Sequence, residues 1–221
     1  MADRLRTGVQ KLSLDLSEVQ LEQLTSYIYC VLEFNKSYNL MKADSSDELS
    51  VNHVLDSLVA LPYIRKETDR LSKENMNETV KIGDIGSGGG CPGIPLAVAM
   101  PDVSFTLVER MEKRCAFLET AVSKLGLSNV RILCRQADKV PPESFDIEVF
   151  RAFHPFDTKI VKLLFEMLKP HGTIMAYKAR SERICAEMES VNKIIPLYEK
   201  ISLTVPFLED HERNLVVIRK G

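Results

Sequence analysis

The segment Asp84-Ile85-Gly86-Ser87-Gly88-Gly89-Gly90-Cys91-Pro92-Gly93 carries the sharpest chemical signal in the chain. It leaves one apolar run and enters another with helical spacing. Glycines at such a junction let the backbone turn tightly and let a ligand approach the main chain, while the helix start offers free N–H groups. A cofactor site is the expectation. Counted from Gly86 against the dinucleotide pattern G-x-G-x-x-G, the sixth residue is Cys91 and Gly93 comes two positions late. A dinucleotide fingerprint is therefore disfavoured. A phosphate loop also fails, because no Gly-Lys-Ser/Thr follows. The pattern that fits is acidic-x-Gly-x-Gly-x-Gly, from Asp84 to Gly90. Glu109 lies nineteen residues beyond Gly90, about where a ribose-binding doubly wound fold places an acid on the ribose hydroxyls.

Other reactive side chains are scattered. The five cysteines (Cys30, Cys91, Cys115, Cys134, Cys185) are odd in number and form no C-x-x-C, so neither a disulfide framework nor a zinc site is expected, and a reducing compartment is. His53, His154, His171 and His211 lack ligand spacing with one another or with the cysteines, so no metal is expected.

These residues need a scaffold. At 221 residues, with 45% apolar and 27% charged side chains, the chain has average soluble composition, which excludes disordered, collagen-like and rod-like proteins. The first residues hold no apolar leader core, and no window approaches the roughly 18 apolar residues of a membrane span. A soluble, cytoplasmic protein is expected. The net charge of −2 gives no global sign of a nucleic-acid binder.

Ser17-Glu18-Val19-Gln20 reads as a capping box that opens an amphipathic helix to about Tyr38, and a second helix runs from about Ser46 to Pro62. The polar stretch 65–79 marks a helix end and linker, giving an N-terminal helical region at 1–78 and a domain at 79–221. Beyond it, runs 80–85, 104–109, 130–134, 145–150 and 173–178 read as buried strands. Segments 94–100, 112–125 and 157–168 read as helices, the second stopped by Gly126. Such alternation implies an α/β fold, a parallel sheet with helices on both faces. Runs 197–205 and 214–219 lack a long helix between them and read as an antiparallel hairpin.

The Asp84–Gly90 pattern with Glu109 resembles the first motif and the ribose carboxylate of class I S-adenosylmethionine-dependent methyltransferases. The turn Phe150-Arg151-Ala152-Phe153-His154-Pro155 lacks the Asp/Asn-Pro-Pro-Tyr pattern usual for amine methylation. No cysteine near the 145–150 strand end could form the covalent adduct that pyrimidine C5 methylation needs. Tyr38-Asn39-Leu40, His53-x-x-Asp56-Ser57, Gly93-Ile94-Pro95-Leu96, Lys113-Arg114-x-x-Phe117-Leu118, Arg151-Ala152-Phe153 and Leu215-Val216-Val217-Ile218 follow in that order. Together they resemble the glucose-inhibited division protein B family, bacterial 16S ribosomal RNA guanine-N7 methyltransferases.

The resemblance implies a doubly wound, mostly parallel seven-stranded sheet with an antiparallel C-terminal strand and a small N-terminal helical extension. It implies S-adenosylmethionine as cofactor, with contacts at Gly86, Cys91, Ala137, Asp138 and Arg151, and the residues of the loop and the next strand end add Asp84, Ser87, Gly88 and Glu109 as candidates. It implies 16S ribosomal RNA or the small ribosomal subunit as partner, with Asn39, His53, Asp56, Ser57, Arg114, Lys178 and Arg213 as the candidate RNA contacts, and a monomer is the expectation. Arg151 and Lys178, at strand ends flanking the pocket, are the candidate catalytic residues, as phosphate or cofactor-carboxylate clamps.

The residues themselves leave other readings open. His53 with Asp56 fits a hydrogen-bonded histidine locking the front helices onto the sheet, Asp138 fits a helix N-cap, and Lys178 fits a solvated strand end. Arg110, Lys113 and Arg114, with Arg180 and Arg183, either track phosphates or form solvated faces. Three positions depart from the family's pattern: Asn52 stands for arginine, Ala179 for glycine and Asn214 for histidine. A small-molecule methyltransferase and a non-catalytic cofactor-binding module docked on RNA are the alternative functions. Guanine N7 has a free lone pair and no proton to lose, so positioning rather than a general base is the expected catalytic device.

Overall fold

The structure, a computed structural model, describes residues 3–43, 45–74 and 79–221. Helices α1 (Asp3–Lys11) and α2 (Glu18–Asn35) open it. The capping box forms as its spacing predicts: Ser17 Oγ accepts from the Gln20 N–H, and the Gln20 side chain accepts from the Ser17 N–H. α2 stops at Asn35 rather than Tyr38 because the Asn35 amide turns to the following segment. It accepts from the Leu40 and Met41 N–H groups and donates to Met41 O. The single helix expected from Ser46 to Pro62 is three pieces: α3 (Ser46–Leu49), a π-helical stretch Ser50–Leu55, and α4 (Asp56–Leu58).

α5 (Leu61–Glu74) follows, with Pro62 in its first turn, where a missing N–H costs nothing. Most of the expected linker is therefore helix. Its charges other than Glu67 lie toward the outer side, while Ile64, Glu67, Thr68 and Leu71 are buried. The expected boundary at 78/79 abuts residues 75–78, which lie outside the described residues.

Strands and helices then alternate: β1 (Lys81–Ile85), α6 (Gly93–Ala99), β2 (Ser104–Glu109), α7 (Glu112–Leu125), β3 (Val130–Cys134), β4 (Phe145–Arg151), α8 (Thr158–Met167), β5 (Leu168–Lys178), α9 (Ser181–Ser190), β6 (Glu199–Leu203) and β7 (Arg213–Arg219). The seven strands run in the order β3-β2-β1-β4-β5-β7-β6. β7 is antiparallel to both its neighbours, and the pairs among β1 to β5 are parallel. The hairpin reading of the last two strands holds.

Alternate residues divide between two cores. Ile82, Leu107, Val149, Leu215 and Val217 face Leu24, Val31, Leu58 and Ile64 of the front helices. Val108, Phe150, Ile174, Val216 and Ile218 face Val161 and Leu164 of α8 and Ile184 and Met188 of α9. The N-terminal helices thus share one core with the sheet. Cys115 on α7 and Cys134, which closes β3, form a disulfide with Cα atoms 5.8 Å apart. That differs from the expectation of unpaired cysteines: packing of α7 on β3 joins two residues with no spacing signature. Among the described residues, no helix is long and apolar enough to cross a membrane.

One fully buried carboxyl makes no hydrogen bond among the described residues. Glu148 on β4, in register with Gly83 of β1 and Ile174 of β5, is fully buried, and neither carboxyl oxygen has a hydrogen-bond partner. Burial holds its pKa well above the ordinary 4.5, so it is protonated in the fold. With the folded value raised, the stability it contributes is full below the unfolded value and is lost as pH rises through the folded one. Glu148→Leu should therefore stabilise the protein by about 1–3 kcal/mol at neutral pH, the cost of an unpaired buried polar group. The gain should grow between about pH 5 and about pH 8 in urea midpoints. A leucine variant no more stable than the parent at either pH would refute the assignment.

Candidate functional site

The junction of β1 and α6 folds back over β2. The Gly86 and Ser87 N–H groups both donate to Val108 O, and Gly86 holds a φ of +75°. Gly88, at φ +57°, donates its N–H to Glu109 Oε2 at 2.9 Å. Glu109 Oε1 accepts from the Arg110 and Met111 N–H groups, each at 2.9 Å. The carboxylate that ends β2 is thus buried and fixed by three main-chain donors beside the loop. A Cβ on Gly88 would come no closer to any atom than 3.9 Å, to Gly86 O, whereas one on Gly86 would strike the Phe153 ring at 2.7 Å. A group could therefore approach the main chain at Gly88, and the Phe153 ring stands beside Gly86, which itself stays exposed.

Beneath the loop, Asp84 Oδ2 accepts from the Gly93 N–H at 2.9 Å, and Oδ1 is buried without a partner. Burial raises its pKa to about 7. Ser87 Oγ donates to Asp84 O, so its hydroxyl is turned inward. Cys91 is buried against the Tyr27 hydroxyl at 3.2 Å, and Tyr27 donates to Gly89 O at 2.6 Å. Burial pushes the Cys91 thiol up, which leaves it a packing group. Arg114 Nη1 stands 3.8 Å from Glu109 Oε2. Ala137 and Asp138 sit in a 3₁₀ turn, Ala137–Lys139. Asp138 is exposed, 3.8 Å from Lys139, and the turn's cap is Gln136 with no side-chain bond. The N-cap reading of Asp138 does not hold.

A second cluster joins three distant segments. Arg151 at the end of β4 donates to Asp56 Oδ2 at 2.6 Å, to Asn52 O at 2.9 Å and to His53 Nδ1 at 2.8 Å. A guanidinium cannot accept, so His53 Nδ1 carries the lone pair and the ring proton sits on Nε2, 3.3 Å from Lys42 O. Burial, and then Arg151, lower the His53 pKa, so the ring is neutral at neutral pH. Asp56 Oδ1 accepts from Arg213 Nε at 2.9 Å. One carboxylate from the front helices thus spans arginines of β4 and β7. The locking histidine is what the geometry displays.

Several expected roles change. Ser57 is fully buried and donates to His53 O, and its own carbonyl accepts from Tyr177, so its hydroxyl offers no surface to RNA. Asp56 is buried with both oxygens occupied, and its charge would repel phosphate. It positions arginines instead. Lys178 is neither a free cation nor a solvated strand end: Nζ donates to Glu187 at 2.6 Å and to His154 O, and lies 4.4 Å over the Phe156 ring. Asn39 is exposed in the turn after α2, and Arg213 is partly exposed. Of the three departures, Asn52 serves Arg151 with its main-chain oxygen, and Asn214 donates to Ala179 O at 2.6 Å.

A cleft of about 700 Å³ opens over this cluster, walled by the β4–α8 turn, the end of β5, α9 and β7. Phe153 belongs to both regions, lining the cleft and abutting Gly86. Sequence reasoning gave Phe153 and Glu187 no role. Phe153 lay inside the quoted turn, but nothing in residue type says that its ring folds back on the glycine loop.

Residues 20–216 match the family model described as rRNA small subunit methyltransferase G. A ribosomal RNA small subunit methyltransferase G of Treponema denticola is 39% identical over 217 residues, covering 89% of this chain and 85% of that protein. One from Francisella tularensis subsp. tularensis is 35% identical over 222 residues, covering 100% and 98%. Among solved structures, TrmI, a tRNA methyltransferase of Aquifex aeolicus, shares the fold at a TM-score of 0.55 and 15% identity, over 74% of this chain and 69% of that one.

Proposed function

The chain belongs to the rRNA small subunit methyltransferase G family, and on that premise we propose that it acts, as a monomer, on 16S ribosomal RNA, moving a methyl group from S-adenosylmethionine to guanine N7. The cofactor supplies an electrophilic methyl on a sulfonium centre. The bare main chain at Gly88, the buried carboxylate of Glu109 and the unpartnered Oδ1 of Asp84 fit a ligand carrying hydroxyls and a cationic end. Gly86, Ser87 and Cys91 would serve through the backbone, and Ala137 and Asp138 would close the far side.

The observation that supports the N7 reading is that neither His53 nor Lys178 is a free base. His53's lone pair is taken by Arg151, and Lys178 is held by Glu187. An acceptor with a lone pair and no proton to lose suits such a site, because it asks only for orientation. Arg151, held by His53, Asp56 and Asn52, would fix the cofactor end of the cleft.

With saturating cofactor, single-turnover rates should stay nearly flat from about pH 6.5 to about 9, where general-base catalysis gives a sigmoid or a bell. Asp84, at about 7, should show itself only in cofactor affinity. The product RNA should cleave at one guanine after borohydride and aniline. A steep rise near neutrality, or RNA that resists this cleavage, would remove N7 as the acceptor. Glu109→Ala should weaken S-adenosylmethionine binding by about 1–3 kcal/mol, the range for hydrogen bonds to a charged group. Unchanged calorimetric affinity would mean that Glu109 only braces the loop.

A further inference from the structure

The cleft is basic in a protein of net charge −2. Its walls carry Arg151, Lys178, Arg180, Arg183 and Arg213 against Asp56 and Glu187. Asp56 is shared by Arg151 and Arg213, and Glu187 is held by Lys178. Among the described residues, Arg180 and Arg183 make no ion pair. They stand three apart at the start of α9, which makes them neighbours on its surface, and both are exposed toward the cleft.

The opposite wall ends in an aromatic. Ala152 takes a φ of +55°, which a residue with a side chain adopts only when its surroundings impose it. This turn sends Arg151 to the His53–Asp56 cluster and brings the next side chain, Phe153, back onto Gly86. The Phe153 ring is half-buried and braced edge-on by His154 with centroids 4.7 Å apart. It is a fixed ring at the point where the glycine loop meets the cleft. A volume near 700 Å³ is of the size that small-ligand sites take.

We propose that this cleft receives one RNA nucleotide turned out of its stack, with its base lying on the Phe153 ring and an adjoining phosphate between Arg180 and Arg183. The inference rests on the RNA methyltransferase reading above and adds the residues that present the acceptor. Enzymes that modify a base must unstack it, and unstacked bases are held on aromatic faces. With no base catalysis to supply, the ring that sets the acceptor's angle to the methyl donor would govern the rate.

The test uses the full-length protein with unmethylated small ribosomal subunits and 16S RNA. Phe153→Leu should lower the single-turnover rate roughly 5- to 150-fold, the range for losing one base–aromatic stack, with S-adenosylmethionine affinity unchanged. Phe153→Trp should keep most of the rate. The double variant Arg180→Gln/Arg183→Gln should weaken RNA binding and flatten its dependence on log salt by about 0.7 per arginine. Wild-type rates in Phe153→Leu, a matching loss of cofactor affinity in it, or unaltered RNA affinity and salt slope in the arginine pair would each overturn the inference. Failure of the parent protein to methylate either RNA substrate would instead refute the function on which it rests.

Discussion

Asp56→Ala should destabilise the protein by about 3–5 kcal/mol, the range for removing one partner of a buried ion pair, and should abolish methyl transfer. The carboxylate is the only anion placed between Arg151 and Arg213 in the described structure, at 2.6 and 2.9 Å. Without it two guanidinium groups, Arg151 mostly buried and Arg213 partly exposed, lose the anion they share. Burial already opposes the charge of Arg151, and Asp56, through its charge and its hydrogen bond, helps to hold it protonated. Asp56→Asn keeps the shape but not the charge and should fall between the two. Urea midpoints with an unchanged slope would report the loss. A coupling energy near zero in a cycle of Asp56→Ala with Arg213→Met would show that the two do not act together.

Gly86→Val should weaken S-adenosylmethionine binding beyond about 100-fold, close to 3 kcal/mol, while leaving the sheet intact. At a φ of +75° a β-branched residue is strained by about 1–2 kcal/mol. Its Cβ would also need the space of the Phe153 ring. The expected loss comes from the loop's backbone, which glycine holds at this φ with its N–H on Val108 O, and not from the ring that leans on it. Calorimetric binding at parental strength would take this loop out of the site. Gly88→Ala is the informative companion, since its Cβ meets no neighbour and adds only strain and bulk on the open side.

How legible all this was depended on range. Apart from the start of β5, the strands, the capping box at Ser17 and the stop at Gly126 are written in local pattern, and each forms within two residues of where the pattern places it. Two helices escaped altogether, and most of α5 was read as linker. α9 buries only Ile184 and Met188, and α1 little more than Leu5 and Val9, too few apolar positions for periodicity to register. β5 begins at Leu168 rather than 173, because Lys169-Pro170-His171-Gly172 looks like a turn and becomes strand through pairing beside a bulge in β4.

In the site, the glycine loop and Glu109 were readable because ligand-binding loops need special backbone. The Arg151 cluster was not. Its members are joined across 95 residues to Asp56, and Asp56 to Arg213 across 157, and one partner is the main-chain oxygen of Asn52. No residue type announces a carbonyl. For the same reason Ser57, which borders His53 and Asp56 in sequence, could pass for a surface group while being fully buried.

The π-helical winding of Ser50–Leu55 sets a phase between two parts of the molecule. In this stretch the Asn52 carbonyl accepts from Arg151 and the His53 carbonyl accepts from the Ser57 hydroxyl, so side chains enter the hydrogen-bond ladder. Each residue of an α-helix advances the chain by about 100°. Deleting one residue between 50 and 55 to restore regular winding would swing either His53 or Asp56 away from Arg151. The angular setting of the front helices is thus stored in their own coil, so length changes that the polar outer turns of α5 could absorb would be read here as misalignment of the arginines.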